Sequence, residues 1–523
     1  MPLSSPRIIR YEVLAAPPEH LGVLIEPPAA TLRSLLASAA DPSYERTAVL
    51  DTTLAALRTQ LRQRLELTGP VILTGHQAEF IHAGVFAKTI AAHALARQCG
   101  GQAVFLTVDC DVPKTAQLAV PQLTAAGVRR IDVDIPGCDP RRPFESQAAA
   151  PREHWREFFA RVGSLHPFQD RALLRTFAEA WLATDEATPQ YCAALARAGA
   201  ASERALGMDG VRELRMSALC ATPEFRAFAA HLLLDARRGA ECYNAAQLGY
   251  RRRHRVRSAA RPAPPLVCSA DVVEAPLWIY RQDEPRRRLA TAVRGETLEL
   301  VADGAAIGQM PRSLLEHAAA HGAPSPLERD GWCLRPRALA LSAFARLFLA
   351  DLFIHGIGGA KYDEMMEDFV RGLFGVQPRP ACCVTATLHL PLPHSDVRDA
   401  DLVAARRQSR DLRFNPQRHL RRLPEELVGQ RAGLVRRSVE LRERQPREHG
   451  PRRLVFGEIR RVSEEMLRTD PWRPAEYDQR IETLLTRQRQ DRVALDREYF
   501  YALHPRETLN ELVQAVRRGL AAE

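Results

Sequence analysis

Three of the 73 basic residues in this chain are lysine, Lys88, Lys114 and Lys361, and each stands in a short stretch whose composition could do chemistry. Where nearly every cation is written as arginine, a retained ammonium marks a position where a planar fork would clash or where a shiftable pKa matters. The stretch around Lys361 reads HGIGGAKYDE: His355, Gly356, Gly358 and Gly359 precede the lysine, and Asp363 and Glu364 follow it. A glycine-rich turn into a helix start presents backbone N–H groups to a phosphate or carboxylate, and a compact mobile charge beside it strengthens that hold. The other reading of the same residues is a plain turn, with Asp363 and Glu364 in the first helical turn favouring the dipole.

The stretch TGHQAEFIHAGVFAK has the same build. Gly75, His76 and Gln77 follow a short apolar strand, His82 and Gly84 open a helix, and Lys88 sits one to two turns inside it. His82-Ala83-Gly84-Val85 resembles the HxGH signature of class I nucleotidylyltransferases, with Val85 at the fourth position. The alternative is a structural histidine pair at a helix start. A third stretch, Asp109-Cys110-Asp111 with Lys114 three residues on, ends the next strand. Two carboxylates at that spacing orient an amine or hydroxyl, hold Mg²⁺ or act as a base, unless one of them only closes an Asx-turn. His76, His82 and Asp109 lack the spacing of a standard metal-ligand set, so no metal is assigned.

These stretches need a scaffold that brings strand ends together. Val71–Thr74, a helical run at 85–97 and a strand at 103–108 read as a βαβ unit with parallel strands. Residues 141–250 are helical in period and end in the basic run RRRHRVR, 251–257, which suits a solvated or domain-joining role, an anion-binding wall or a nucleic-acid patch. Strands follow at 276–280 and 296–304, and a second strand–glycine turn–helix pattern occupies 346–374, closed by a strand at 382–390. The fold class is α/β: a Rossmann-like parallel-sheet core with a helical insertion and a C-terminal helical hairpin with coiled-coil character. The expected divisions are 1–140, a mostly helical lead-in and the first half of the core; 141–260, the insertion; 261–395, the connecting strands and second half; and 396–523, the hairpin. In that hairpin the segments RAGLVRRSVELRERQ and RIETLLTRQRQDRVALDREYF are expected to pair.

Composition narrows the class. At 523 residues and 46% hydrophobic the chain can bury a large core. No uninterrupted apolar run suits a signal peptide or a membrane span, since the most apolar stretch is cut by Arg346 and Asp351. Ten cysteines without CxxC pairs suit neither a disulfide framework nor a zinc site and point to a reducing cytoplasm. The formal charge of +10 comes from arginines interspersed with acids and suits an anionic small-molecule substrate without demanding nucleic acid.

In their order these features resemble the bacillithiol-biosynthesis cysteine ligase family, BshC. Thr74-Gly75-His76-Gln77-Ala78 is similar to that family's TGQQAG-type loop, Asp109-Cys110-Asp111 to its D-H-D element, and Gly358-Gly359-Ala360-Lys361 to its GGPGE-type loop. His76 stands for a glutamine and Cys110 for a histidine. The resemblance implies a core like that of class I nucleotidylyltransferases, a helical domain that mediates dimers, and an amide-forming condensation of an amino acid such as cysteine with an amine-bearing acceptor such as glucosaminyl-malate. On that basis the glycine stretch and Lys361 hold a phosphate or carboxylate, His76, His82 and Lys88 hold the activated group, and Asp109 or Asp111 orients and deprotonates the amine. ATP and Mg²⁺ are the cofactors such an activation would draw on, and residues 420–500 would form a homodimer. Nucleotidyl transfer without ligation and a non-catalytic dimeric ligand-binding scaffold are the rival expectations.

Overall fold

Six short runs make the main sheet: β1 Val23–Glu26, β2 Val71–Gln77, β3 Gln102–Val108, β4 Arg212–Arg215, β5 Leu352–His355 and β6 Ala381–Ala386. The computed structural model in which they are seen describes residues 9–37, 41–184, 187, 190–258, 263–282, 284–444 and 449–522. The strand order is β1-β6-β5-β2-β3-β4, with β1 antiparallel to β6 and all other neighbours parallel. Val71, Ile72, Leu73, Leu352, Ile354, Cys382 and Val384 are fully buried, as strands covered on both faces of a parallel sheet must be.

From β2 the chain winds through β3 to β4 on one side, and from β5 to β6 on the other. The direction of winding therefore reverses between β2 and β5, which lie side by side with Thr74 Oγ1 donating to the Ile354 carbonyl at 2.9 Å. Crevices outside the carboxyl ends of strands at such a reversal are where open α/β sheets take ligands. Two helices start at this edge: α1, Ala83–Cys99, after β2, and α2, Ile357–Phe374, after β5. α1 is apolar nearly all round, and 13 of its residues are buried, because it lies between the sheet and the Arg506–Ala521 helix.

Two of these strands depart from the sequence expectation. β1 lies in the stretch read as a helical lead-in, and β4 in the stretch read as a helical insertion. Each is four residues long, and β4, written Arg-Glu-Leu-Arg, is an edge strand whose charges mask its alternation. A second, antiparallel sheet is built from Val273–Tyr280, Arg287–Arg294, Thr297–Ala302, Ala305–Pro311 and Cys333–Pro336.

The chain divides into two units. One contains residues up to 120, 131–390 and from 497 onwards; the other contains 121–130 and 391–496. Among the described residues the second unit has four α-helices, Asp399–Phe414, Glu425–Arg444, His449–Arg468 and Trp472–Ala494. Glu425–Arg444 packs against His449–Arg468, and Trp472–Ala494 against Asp399–Phe414. The two segments expected to form one hairpin thus belong to different helix pairs, because the heptads are too short-lived to dictate a single long seam and each helix takes another partner. Residues 497–523, expected in the hairpin, cluster with the first unit. Among the described residues no helix is long and apolar enough to cross a membrane.

Candidate functional site

β2 runs on past Thr74, so Gly75, His76 and Gln77, expected in a loop, are strand residues opposite Leu106, Thr107 and Val108. The pairing at Gly75 is so close that a Cβ there would lie 2.5 Å from the Leu106 carbonyl oxygen. The Gly75 carbonyl accepts from Lys88 Nζ at 2.5 Å. Lys88 is buried, and that burial, with Lys114 adding to it and Cys383 opposing, brings its ammonium down to about 8. Its stem passes Gly356, at the start of α2.

His82 is the N-cap of α1: its Nδ1 accepts the Gly84 N–H at 3.1 Å. That role needs a bare ring nitrogen, and burial, followed by Arg497, Lys88 and Lys114, brings its pKa down to about 4. The His-x-Gly pattern is here a helix cap. Thr385 Oγ1 on β6 donates to the Gly84 carbonyl at 3.3 Å, which sets this helix end against the strand. His76 is held neutral by burial first, then by Lys88 and Lys114. Its Nδ1 lies 3.2 Å from the Gln77 carbonyl; because a carbonyl only accepts, Nδ1 carries the hydrogen and Nε2 keeps the basic lone pair.

The second half of the site is tighter than the sequence suggests. α2 begins at Ile357, directly after its N-cap Gly356, so Gly358 and Gly359 lie in its first turn rather than in a loop, and Lys361 in its second. Asp363 and Glu364 consequently fall beyond the first turn. With glycine as the N-cap no side chain covers the first N–H groups of this 18-residue helix. Gly359 is required where it stands, because a Cβ would lie 2.8 Å from His355 Nδ1.

Asp363 turns away from this helix end into the core, where it pairs with the Arg346 guanidinium and with His355 Nε2 at 3.1 Å. Burial would raise its carboxyl, but Arg346 and His355 outweigh that and hold it below the usual range. Arg346, itself only 1% exposed, also donates to the Arg379 carbonyl at 2.5 Å and to Glu367 at 2.9 Å. Glu364 accepts from Arg253 at 2.6 Å and lies 2.6 Å from His254 Nε2, while Arg253 reaches Asp368 at 2.7 Å. These members of the basic run therefore join the Ala236–His254 helix to α2. Lys361 Nζ stands 5.2 Å over the Tyr11 ring, which stacks on His254.

The acidic pair after β3 is engaged elsewhere. Asp109 is buried, with its carboxylate accepting from the Ser217 N–H at 2.8 Å and from the Ser217 hydroxyl. Burial raises its pKa, and the Ser217 bonds resist the rise. Asp111 accepts from Gln77 Nε2 at 3.0 Å and pairs with Arg286 at 2.7 Å. Lys114 is exposed and pairs with Glu79 at 3.3 Å.

The structure thus gathers Gly75, His76, His82, Gly84, Lys88 and Gly356 at one sheet edge. Cys383 on β6 belongs with them: burial pushes its thiol up to about 12 against the pull of Lys88 and Lys361, with Glu26 adding to the rise. Asp109, Asp363 and Glu364 are committed to other partners. The sequence assigned no role to Arg346, noted only as a charge interrupting an apolar run, or to Thr74, noted only within the first strand and loop. Arg346 carried a signal, being the lone charge within the run ALALSAFARLFLA, where a helix with apolar residues all round leaves it no exposed face. Among the described residues no group of three His, Cys, Asp or Glu is placed to hold a metal ion. Compared with known protein families the sequence matches none, and compared with curated proteins it likewise has no match.

Proposed function

We propose that the parallel sheet is a Rossmann-like core whose switch point between β2 and β5 binds an anionic small molecule, and that the protein is a BshC-like ligase joining an amino acid to an amine-bearing acceptor. One observation carries the reading: a buried ammonium, Lys88, reaches the strand reversal at which the uncapped start of α2 also lies. A phosphate or carboxylate placed there would receive backbone N–H groups and a desolvated cation together. Lys361, one turn further along α2, adds a second positive charge.

In the proposed reaction the acceptor nitrogen attacks the activated carboxyl carbon, the new C–N bond replaces the bond to the leaving oxygen, and the amine gives up a proton. Two groups could take it: His76, whose neutral ring leaves the Nε2 lone pair open but whose burial beside Lys88 and Lys114 weakens it as a base, and Asp109, whose burial raises its basicity but whose carboxylate is engaged by Ser217. Lys88 and the start of α2 are the groups that would hold the phosphates of ATP, which when bound supplies the leaving group of the activated carboxyl. Asp111, the carboxylate nearest the site, is already paired with Gln77 and Arg286, and among the described residues no group of three His, Cys, Asp or Glu is placed to hold Mg²⁺. A homodimer through residues 420–500, in a cytoplasmic setting, completes the reading; Val428, Val435 and Val439 lie exposed on one helix there.

The test is mass spectrometry of wild type, Lys88→Met and Lys361→Ala incubated with cysteine, glucosaminyl-malate, ATP and Mg²⁺. The expected result is a condensed thiol product from wild type and at least a ~10²-fold loss in Lys88→Met. Folded wild type that binds none of these molecules and makes no product would overturn the ligase reading.

A further inference from the structure

A cavity, partly open to solvent, lies over β3 and β4 on the side of α1, roofed by the Tyr191–Ala205 helix and by Phe500 and Tyr501. Its existence follows from the roof sequence. Ala196, Gly199 and Ala200 face it with almost no side chain, and a Cβ built on Gly199 would meet nothing within 4 Å. The remaining wall is largely aromatic, with Phe86, Phe105, Phe177 and Phe500.

Into this apolar space project two carboxyl groups, Glu203 from the roof helix and Glu213 from β4. Glu213 accepts from Thr107 Oγ1 at 2.6 Å. The Glu203 side-chain carboxyl has no hydrogen-bond or ion-pair partner among the described residues. A half-buried carboxyl set beside another in a largely apolar cleft, with no protein donor, is held at a cost that a ligand donor relieves. Burial, with the neighbouring Glu213 adding to it and Arg204 opposing, lifts Glu203 to about 8, so near neutrality it keeps its proton until a cation arrives. The third acid on the wall, Glu79, is already paired with Lys114.

We propose that this cavity binds a small organic cation, an ammonium group carried on an aromatic or aliphatic body, with the ammonium between Glu203 and Glu213 and the body against the phenylalanines. The two carboxyls supply the counter-charge that an ammonium needs in a low-dielectric space, and the ring faces add cation–π attraction. An anion would meet Glu213 instead. The site therefore selects the charge opposite to that favoured beside Lys88, and it does not rest on the ligase reading.

The experiment is isothermal titration of the full-length protein with 2-phenylethylamine, 2-phenylethanol and phenylacetate at pH 7.5. The amine should bind at least tenfold more tightly than the alcohol, and phenylacetate more weakly than either. Glu203→Gln should bring the amine down to the affinity of the alcohol, and Gly199→Leu, which fills the cavity from the roof helix, should weaken both at least tenfold while raising the melting temperature. Equal affinity for amine and alcohol, undetectable amine binding at millimolar concentration, or unchanged amine binding in folded Glu203→Gln or Gly199→Leu would each overturn the proposal.

Discussion

Replacing Lys88 by methionine should make the protein more stable, and the amount can be worked from the site. A lysine whose pKa falls from the ordinary ~10.4 to about 8 on folding penalises the folded state by ~3.3 kcal/mol at pH 7. Methionine removes that penalty and keeps the stem volume, but it leaves the Gly75 carbonyl without its donor, a loss of ~1–2 kcal/mol. The net expectation is a gain of ~1–2 kcal/mol at pH 7. The sign reverses with pH. Lys88 is a base whose folded pKa is depressed, so between about 8 and ~10.4 the unfolded chain binds more protons than the folded one, and wild-type stability rises relative to the variant. Between pH 7 and 10 the difference should shrink by ~2.5 kcal/mol and leave wild type the more stable. Denaturant unfolding followed by tryptophan fluorescence suits the measurement: Trp155, Trp181, Trp278 and Trp332 lie in the first unit, and Trp472, the fifth, is exposed. A difference between the two proteins that does not change between pH 7 and 10 would refute the argument, because it would mean that the Lys88 ammonium is fully hydrated.

Two further predictions concern the same unit. His166 and His504 are buried and held neutral mainly by that burial, with pKa values brought down to about 4 and about 3, so the unfolded chain takes up their protons first as pH falls below ~6.5. Each should cost the fold ~2 kcal/mol by pH 5, and a His504→Leu protein should lose less melting temperature than wild type between pH 7 and 5, an equal loss counting against the assignment. Asp363→Asn strands the buried Arg346 guanidinium and should destabilise by ~3–5 kcal/mol; a thermal melt within 2 °C of wild type would show that Glu367 and the Arg379 carbonyl suffice.

The βαβ unit at 71–108 was legible because its periods switch cleanly between strand and helix, and so was the strand–helix–strand at 352–386. The ends of elements were not. Gly75, His76 and Gln77 look like a loop by composition, yet the close approach of β3 keeps them in the sheet, and nothing local announces that approach. Gly358 and Gly359 read as turn residues because of their low helix propensity, which the packing of α2 against its neighbours overrides. The rarity of lysine did lead to Lys88, and the buried end of its side chain became visible only with the fold. The acids were the hardest to place: Asp109 was read as a base and Asp363 as part of an anion-binding helix start, and the partners that engage them, Ser217 and Arg346, lie 108 and 17 residues away. The cavity beside Glu203 had no local signal at all, since its walls come from six separate stretches of the chain.

Thr74 and Ile354, which meet at the centre of the sheet, are 280 residues apart in the chain. During synthesis at ~5–20 residues per second, β2 therefore waits ~15–60 s for its neighbour β5 to leave the ribosome. Until β5 emerges, any pairing of β2 with β3 has its β5 flank unmatched, an apolar strand edge of the kind that other nascent chains can pair with. The yield of native protein in a cell should thus depend on how that flank is sheltered during translation, and slowing elongation between β3 and β5 should lower it even though the finished fold is unchanged.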